Sequence, residues 1–187
     1  MAKLVVVDPG HGGTDPGAVG HGLREATLTL TLGKRLQAAL LRDFDVRVEL
    51  TRSTDRAVEL KRRAAFANER GADYFVSVHV NSSGGTGYED FVHSSVAANS
   101  TTAKRRSAVH DAVMKFMRRK GMPDRGKKNA DLAVLRETAM PAVLTENLFI
   151  DNPADARLLK RDAFLTRLAK AHARGIGVAL GLPRRPG

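Results

Sequence analysis

Two hydrophobic periods alternate along this chain. Leu4 to Val7 is an unbroken apolar run, and it predicts a buried strand over residues 3–7, closed by the Pro9-Gly10 pair. Leu28, Leu32, Leu36 and Leu40 recur every fourth position, which predicts a helix over 25–41 with one apolar face. Between them, residues 8–22 hold six glycines and Pro16 and read as an ordered loop. Val46 to Leu50 alternates like a strand. Thr54 or Asp55 is the expected cap of a helix running to Arg70, with Gly71 as its stop. Tyr74 to Val80 is rich in β-formers and carries His79 near its carboxyl end. A turn cluster at 81–87 precedes an expected strand over 88–93.

The second half continues the alternation. A helix is expected over 100–120, with Ala112, Val113, Phe116 and Met117 on one face. Residues 123–129 read as a polar, basic loop, and 132–135 and 142–145 as short buried strands. Asn152 caps a last helix with Pro153 at its first position, and Leu158, Leu165, Leu168 and Ile176 share a face. The Pro/Arg/Gly-rich end at 182–187 reads as a linker-like tail after one domain over 1–181. Strands alternating with helices predict an α/β fold: a single three-layer domain with a mostly parallel sheet flanked by helices. Loops at the carboxyl ends of strands build the active site in such folds.

Composition narrows this picture. With 42% hydrophobic and 27% charged residues the chain has the balance of a globular domain, and it lacks an apolar run long enough to span a membrane. It has no cysteine, which excludes disulfides, thiolate metal sites and thiol nucleophiles. The net charge of +11 favours a polyanionic partner such as nucleic acid, anionic lipid or an anionic wall polymer. No helix-turn-helix, zinc-finger or RNA-binding signature accompanies the charge, and 5% aromatic residues give little base-stacking surface. Nucleic acid is therefore not expected as a partner, and the chain is expected to act as a monomer. No secretory signal precedes Leu4, so the expectation is a removed signal or phage-type release from the cytoplasm.

Candidate chemistry sits at the predicted strand ends. The glycines around His11 match neither the P-loop nor the GxGxxG spacing, which excludes nucleotide binding and leaves a tight turn around an imidazole. Each residue also has an ordinary reading. Glu25 in a first helical turn stabilises the helix dipole. Glu146 at a strand end can bond backbone N–H groups or pair with Arg136. Asn81 orients a ligand or substrate, or forms an Asx turn. His21 is the alternative ligand, His110 and His172 belong to helices as structural or surface residues, and His93 has no assigned role.

The ordered set of motifs decides among these readings. The chain resembles the zinc-dependent N-acetylmuramoyl-L-alanine amidases of the amidase-3 type. The resemblance runs through Asp8-Pro9-Gly10-His11-Gly12-Gly13 to Ala18, Glu25 before its leucine-rich helix, and Thr51-Arg52 with Asp55. It continues through Arg63 to Asn68, Ala72-Asp73, Ser77-Val78-His79-Val80-Asn81, Leu135-Arg136, Pro141 to Leu144, Glu146 and Asn152. It implies a six-stranded sheet, one zinc ion held by His11, Glu25 and His79, and Glu146 as the catalytic glutamate. Three protein ligands with an open fourth position are the catalytic zinc arrangement. Asn81 and Arg136 are the expected substrate-binding residues. The implied reaction is hydrolysis of the amide between the lactyl group of N-acetylmuramic acid and L-alanine in peptidoglycan by a zinc-activated water. The alternatives are a zinc peptidase cutting the stem peptide and a basic polyanion-binding module. The implied partners are peptidoglycan and anionic wall polymers, and the site of action is the bacterial cell wall, as a phage endolysin module or an autolysin. One departure stands out: glycine is common two residues after the catalytic glutamate, and this chain has Leu148.

Overall fold

The computed structural model describes residues 2–185. In chain order the elements are β1 (Leu4–Pro9), β2 (Val19–Gly20), β3 (Leu23–Arg24), α1 (Glu25–Asp43), β4 (Arg47–Leu50), α2 (Leu60–Glu69) and β5 (Tyr74–Asn81). There follow β6 (Tyr88–His93), α3 (Thr101–Arg118), β7 (Asp124–Ala130), α4 (Ala133–Arg136), β8 (Ala142–Phe149), α5 (Pro153–Leu159) and α6 (Asp162–Leu180). Six strands form one sheet in the order β4-β1-β5-β8-β6-β7. β4, β1, β5 and β8 are parallel; β6 runs antiparallel to β8 and parallel to β7. β2 and β3 make a small hairpin inside the glycine-rich loop. The expected three-layer, mostly parallel architecture is the one observed.

The continuous apolar run of β1 reflects burial on both faces, since every residue of the strand is buried. On one face Val5, Val7, Val76, Val78 and Val143 pack against leucines of α1, Val109, Val113, Met114 and Met117 of α3, and the apolar side of α6. On the other face Leu4, Val6, Phe75 and Leu144 meet the smaller cover of α2 and α4. Because α2 and α4 together span few turns, that face stays open near the strand ends.

Four expected elements differ. The segment expected as a loop over 123–129 is, from Asp124 on, the edge strand β7; its alternating exposure and its lysines are those of a charged edge that resists further pairing. Residues 132–135 carry one helical turn, α4, with Val134 and Leu135 inward; a short apolar run alone cannot separate strand from buried helix. The helix expected from Thr54 begins at Leu60, because the Asp55 side chain accepts from Gly13 N (2.8 Å) and the chain before Leu60 packs on the β1 loop. The helix after Asn152 is two helices. Asn152 caps α5 through bonds from Ala154 N and Asp155 N, with Pro153 at the start, but Arg161 begins a second helix. Past α6, Leu182 is buried in the core, Pro183 O accepts from Asp45 N, and Arg184 pairs with Phe44. The end of the tail expected at 182–187, residues 186–187, lies outside the described residues.

Candidate active site

Adjacent parallel strands place ladder partners on the same face. His79 on β5 pairs in register with Glu146 on β8, and both face the open side. His11 arrives from the loop after β1 and Glu25 from the first turn of α1. The donor atoms of His11, Glu25 and His79 all lie within 4.8 Å of one another. Glu25 Oε1 is 3.2 Å from His11 Nε2 and 3.1 Å from His79 Nδ1, and it also accepts from Val80 N. Glu25 Oε2 accepts from Ala18 N. The histidine ring centroids are 5.0 Å apart and nearly perpendicular.

Neighbouring groups set the orientation of both rings. His11 Nδ1 lies 2.8 Å from Asp15 Oδ2, so it donates there and leaves Nε2 facing Glu25. Ser77 Oγ donates to Asp8 Oδ2 at 2.7 Å and lies 3.1 Å from His79 Nε2, so it accepts from that nitrogen and leaves Nδ1 facing Glu25. Asp8 is in turn fixed by Thr51 Oγ1 and Arg63 Nη1. Arg52 donates to the carbonyls of Pro9, Gly10 and Ala26, and Arg63 to those of Pro9 and His11. Two buried guanidinium groups thus hold in place a strained loop backbone, with His11 at φ 60. None of Asp8, Asp15 or Ser77 was singled out from the sequence as a support, because such a role is visible only through a neighbour.

The fit to a metal ion follows from this geometry. A cβ at Gly10 would sit 2.2 Å from His79 Cε1, and one at Gly17 would sit 2.7 Å from both Glu25 Oε2 and His11 Cδ2. The backbone is therefore pressed against the donors and holds them in place. Burial pushes the Glu25 carboxyl up, but hydrogen bonds to His11 and His79 outweigh it and hold the group well below the usual carboxylate range. The hydrogen bond to Glu25 raises His11. An anionic carboxylate between two imidazoles, each with its second nitrogen anchored, is a donor set suited to zinc.

Glu146 differs from Glu25. Its Oε2 is buried with no hydrogen-bond partner among the described residues. Burial, then the nearby Glu25 and Glu89 carboxylates, pushes Glu146 well above its ordinary value. It lies on the floor of a 510 Å³ groove with His11 and His79. The walls are Ala57 to Leu60 before and at the start of α2, and Leu132 to Val134 at α4. Asn81 ends β5, but its Nδ2 donates to Glu89 Oε1 and its Oδ1 accepts from Ser82 N. Arg136 lies outside the groove, paired with Asp131 and Glu137. His21 bonds Asp151 O, away from the cluster. His93 pairs with Asp131, His110 sits buried between Asp90 and Asp124, and His172 is buried against Asn147.

An α/β sheet carrying a compact His–Glu–His donor set beside an unpaired carboxylate in an open groove has the layout of a hydrolase. The chain belongs to the N-acetylmuramoyl-L-alanine amidase family of the amidase-3 type, whose family profile matches residues 5–178. It is 47% identical to the endolysin of Bacillus phage SPP1 over 100% of this chain and 69% of that protein. It is 46% identical to the sporulation-specific N-acetylmuramoyl-L-alanine amidase of Bacillus subtilis, over 98% of this chain and 70% of the relative. Its fold superposes on the N-acetylmuramoyl-L-alanine amidase of Clostridium difficile 630 with a TM-score of 0.90 at 30% identity, covering 96% of this chain and 97% of that one. The catalytic domain of the amidase CwlV from Bacillus (Paenibacillus) polymyxa matches with a TM-score of 0.88 at 34% identity, over 97% and 99% of the two chains.

Proposed function

We propose that this chain cleaves the lactyl–L-alanine amide of peptidoglycan with one zinc ion held by His11 Nε2, Glu25 Oε1 and His79 Nδ1, and with Glu146 as the proton carrier. The observation that carries this reading is the convergence of three anchored donors, two of which line the groove, with the buried, unpaired Glu146 oxygen beside them. When bound, the ion supplies a Lewis acid that polarises the amide carbonyl and acidifies water.

The remaining work falls to the chain's own residues. Glu25 contributes the one negative charge among the ligands, and its two backbone bonds, from Ala18 and Val80, keep it from rotating out of the site. Asp15 and Ser77 anchor the outer nitrogens, so that with the ion bound each imidazole would offer its inner nitrogen to the metal. Glu146, raised by burial, is poised to take a proton from the attacking water and return it to the leaving amine of L-alanine. Val58, Leu60, Leu132 and Val134 give the substrate an apolar flank that limits water at the cleaved bond. The +11 charge adds attraction to anionic polymers of the bacterial wall, where the enzyme acts.

Elemental analysis of His11→Ala, His79→Ala and Glu146→Gln tests the assignment of roles. The two histidine variants should lose zinc and activity yet keep their fold, since the cores on both sheet faces are independent of the site. Glu146→Gln should keep zinc and lose at least ~10²-fold in turnover. Loss of zinc in Glu146→Gln would make Glu146 a ligand, and near-normal turnover would move the proton transfer to another group.

A further inference from the structure

The row of facing residues does not stop at Glu146. Glu89 on β6 is the ladder partner of Glu146, so His79, Glu146 and Glu89 line up across three neighbouring strands on the open face. Glu89 is buried, and its Oε1 is held by Asn81 Nδ2. Its Oε2 takes two cations from β7: Arg125 Nε at 2.9 Å and Lys128 Nζ at 2.5 Å. These hydrogen bonds overcome the effect of burial and hold the Glu89 carboxyl below its ordinary value, so it stays anionic. One negative charge faces two positive ones, and one positive charge is left over. Both cationic side chains keep about a third or more of their surface open, at 35% and 40%. Arg125 is braced from below, its guanidinium 4.7 Å from the ring centre of the buried Phe149. The structure thus holds a fixed, partly exposed excess cation two strands from the catalytic glutamate.

We propose that Arg125 and Lys128 form an anion-binding subsite for the free α-carboxylate of the stem-peptide residue that follows L-alanine. The proposal rests on the amidase reading above. In peptidoglycan that residue is a D-glutamyl unit joined onward through its γ-carboxyl, so its α-carboxyl is free or amidated. Strands lie ~4.8 Å apart, which puts the Glu89 backbone about 10 Å from that of His79. A peptide residue spans about 3.5 Å, so a carboxylate one residue beyond L-alanine falls ~7 Å from the cleaved bond. The side chains of Arg125 and Lys128 meet over Glu89 Oε2, one strand from Glu146. Glu89 holds the two cations in place, and the substrate carboxylate takes the charge that Glu89 leaves unbalanced. Amidation would remove the ionic partner and leave only a neutral amide against the two donors.

The test uses two tripeptides, L-Ala-γ-D-Glu-L-Lys with the glutamyl α-carboxyl free or amidated, and measures their binding to the intact chain by calorimetry. Both are products of the proposed reaction, so binding is read without turnover. The free carboxylate should bind about tenfold more tightly, the scale of one charge-assisted hydrogen bond. In Arg125→Gln/Lys128→Gln the ratio should fall to about one, and the charge-conserving Arg125→Lys/Lys128→Arg should restore part of it. Equal binding of the two peptides to the wild type, or an unchanged ratio in the double glutamine variant, overturns the subsite. A wild-type enzyme that bound the carboxylate form preferentially yet did not release L-alanine amines from peptidoglycan would overturn the amidase reading and leave the anion subsite standing.

Discussion

His172 shows how a residue far from the groove supports it. It is buried in α6, and its Nε2 donates to Asn147 Oδ1, while Asn147 Nδ2 donates to the carbonyl of His79. Burial lowers its pKa to about 3, so it is neutral in the folded protein. In the unfolded chain it titrates near ~6.5. Above that pH both states are neutral and the contribution is complete. As pH falls below it the unfolded state takes up a proton that the folded state refuses, and stability is lost until about pH 3. Between pH 6.5 and 5 this amounts to at most about 2 kcal/mol. His172→Gln retains a donor to Asn147 without the titration. Denaturant unfolding at several pH values should show a flatter profile for the variant over this window; an identical slope would assign the acid sensitivity to other groups. At this scale no single residue was decisive: the ordered motifs and the family resemblance they carry singled out His11, Glu25, His79 and Glu146, and the structure brings these four together. Asp8, Asp15 and Ser77 act only through a partner brought near by folding, and they were not legible as supports.

The glycine-rich segment after β1 is the element on which the site depends most. It contributes His11, carries the backbone that presses on His79, and is held by Arg52, Arg63 and Asp55 from the chain between β4 and the end of α2. Gly10→Ala would place a methyl group 2.2 Å from His79 Cε1, well inside van der Waals contact, so the ring must move. The expected result is loss of zinc approaching that of His79→Ala, with a smaller loss of thermal stability; full metal content in the variant would show that the ring can shift without leaving the cluster. The same dependence explains which elements could be foreseen. β1, α1, β5 and α3 follow from their own periodicity. β7 was hidden because an edge strand can be polar on its exposed side, and the late start of α2 because Asp55 bonds Gly13 across 42 residues instead of capping a helix. Leu148 marks a third case. It stands at φ 70 in the bulge where β8 gains a residue relative to β5, a conformation that favours glycine, while its side chain is fully buried. Left-handed backbone costs about 1–2 kcal/mol, less than the 2–5 kcal/mol typical of removing a buried leucine, so the larger side chain is tolerated.

At the scale of the whole molecule, charge and chemistry separate. The +11 charge is a long-range attraction, screened over a Debye length of about 8 Å at physiological salt. Co-sedimentation with purified walls should fall as salt rises; retention unchanged to about 0.5 M salt would show that contacts other than charge hold the enzyme. The central claim concerns which bond is cut. Purified peptidoglycan is digested, its new amino termini are labelled, and the labelled residues are identified after hydrolysis along with any new reducing sugar ends. Cleavage of the lactyl amide predicts labelled L-alanine and an intact glycan. Label on D-alanine, diaminopimelate or lysine, or new reducing ends without labelled L-alanine, would contradict it.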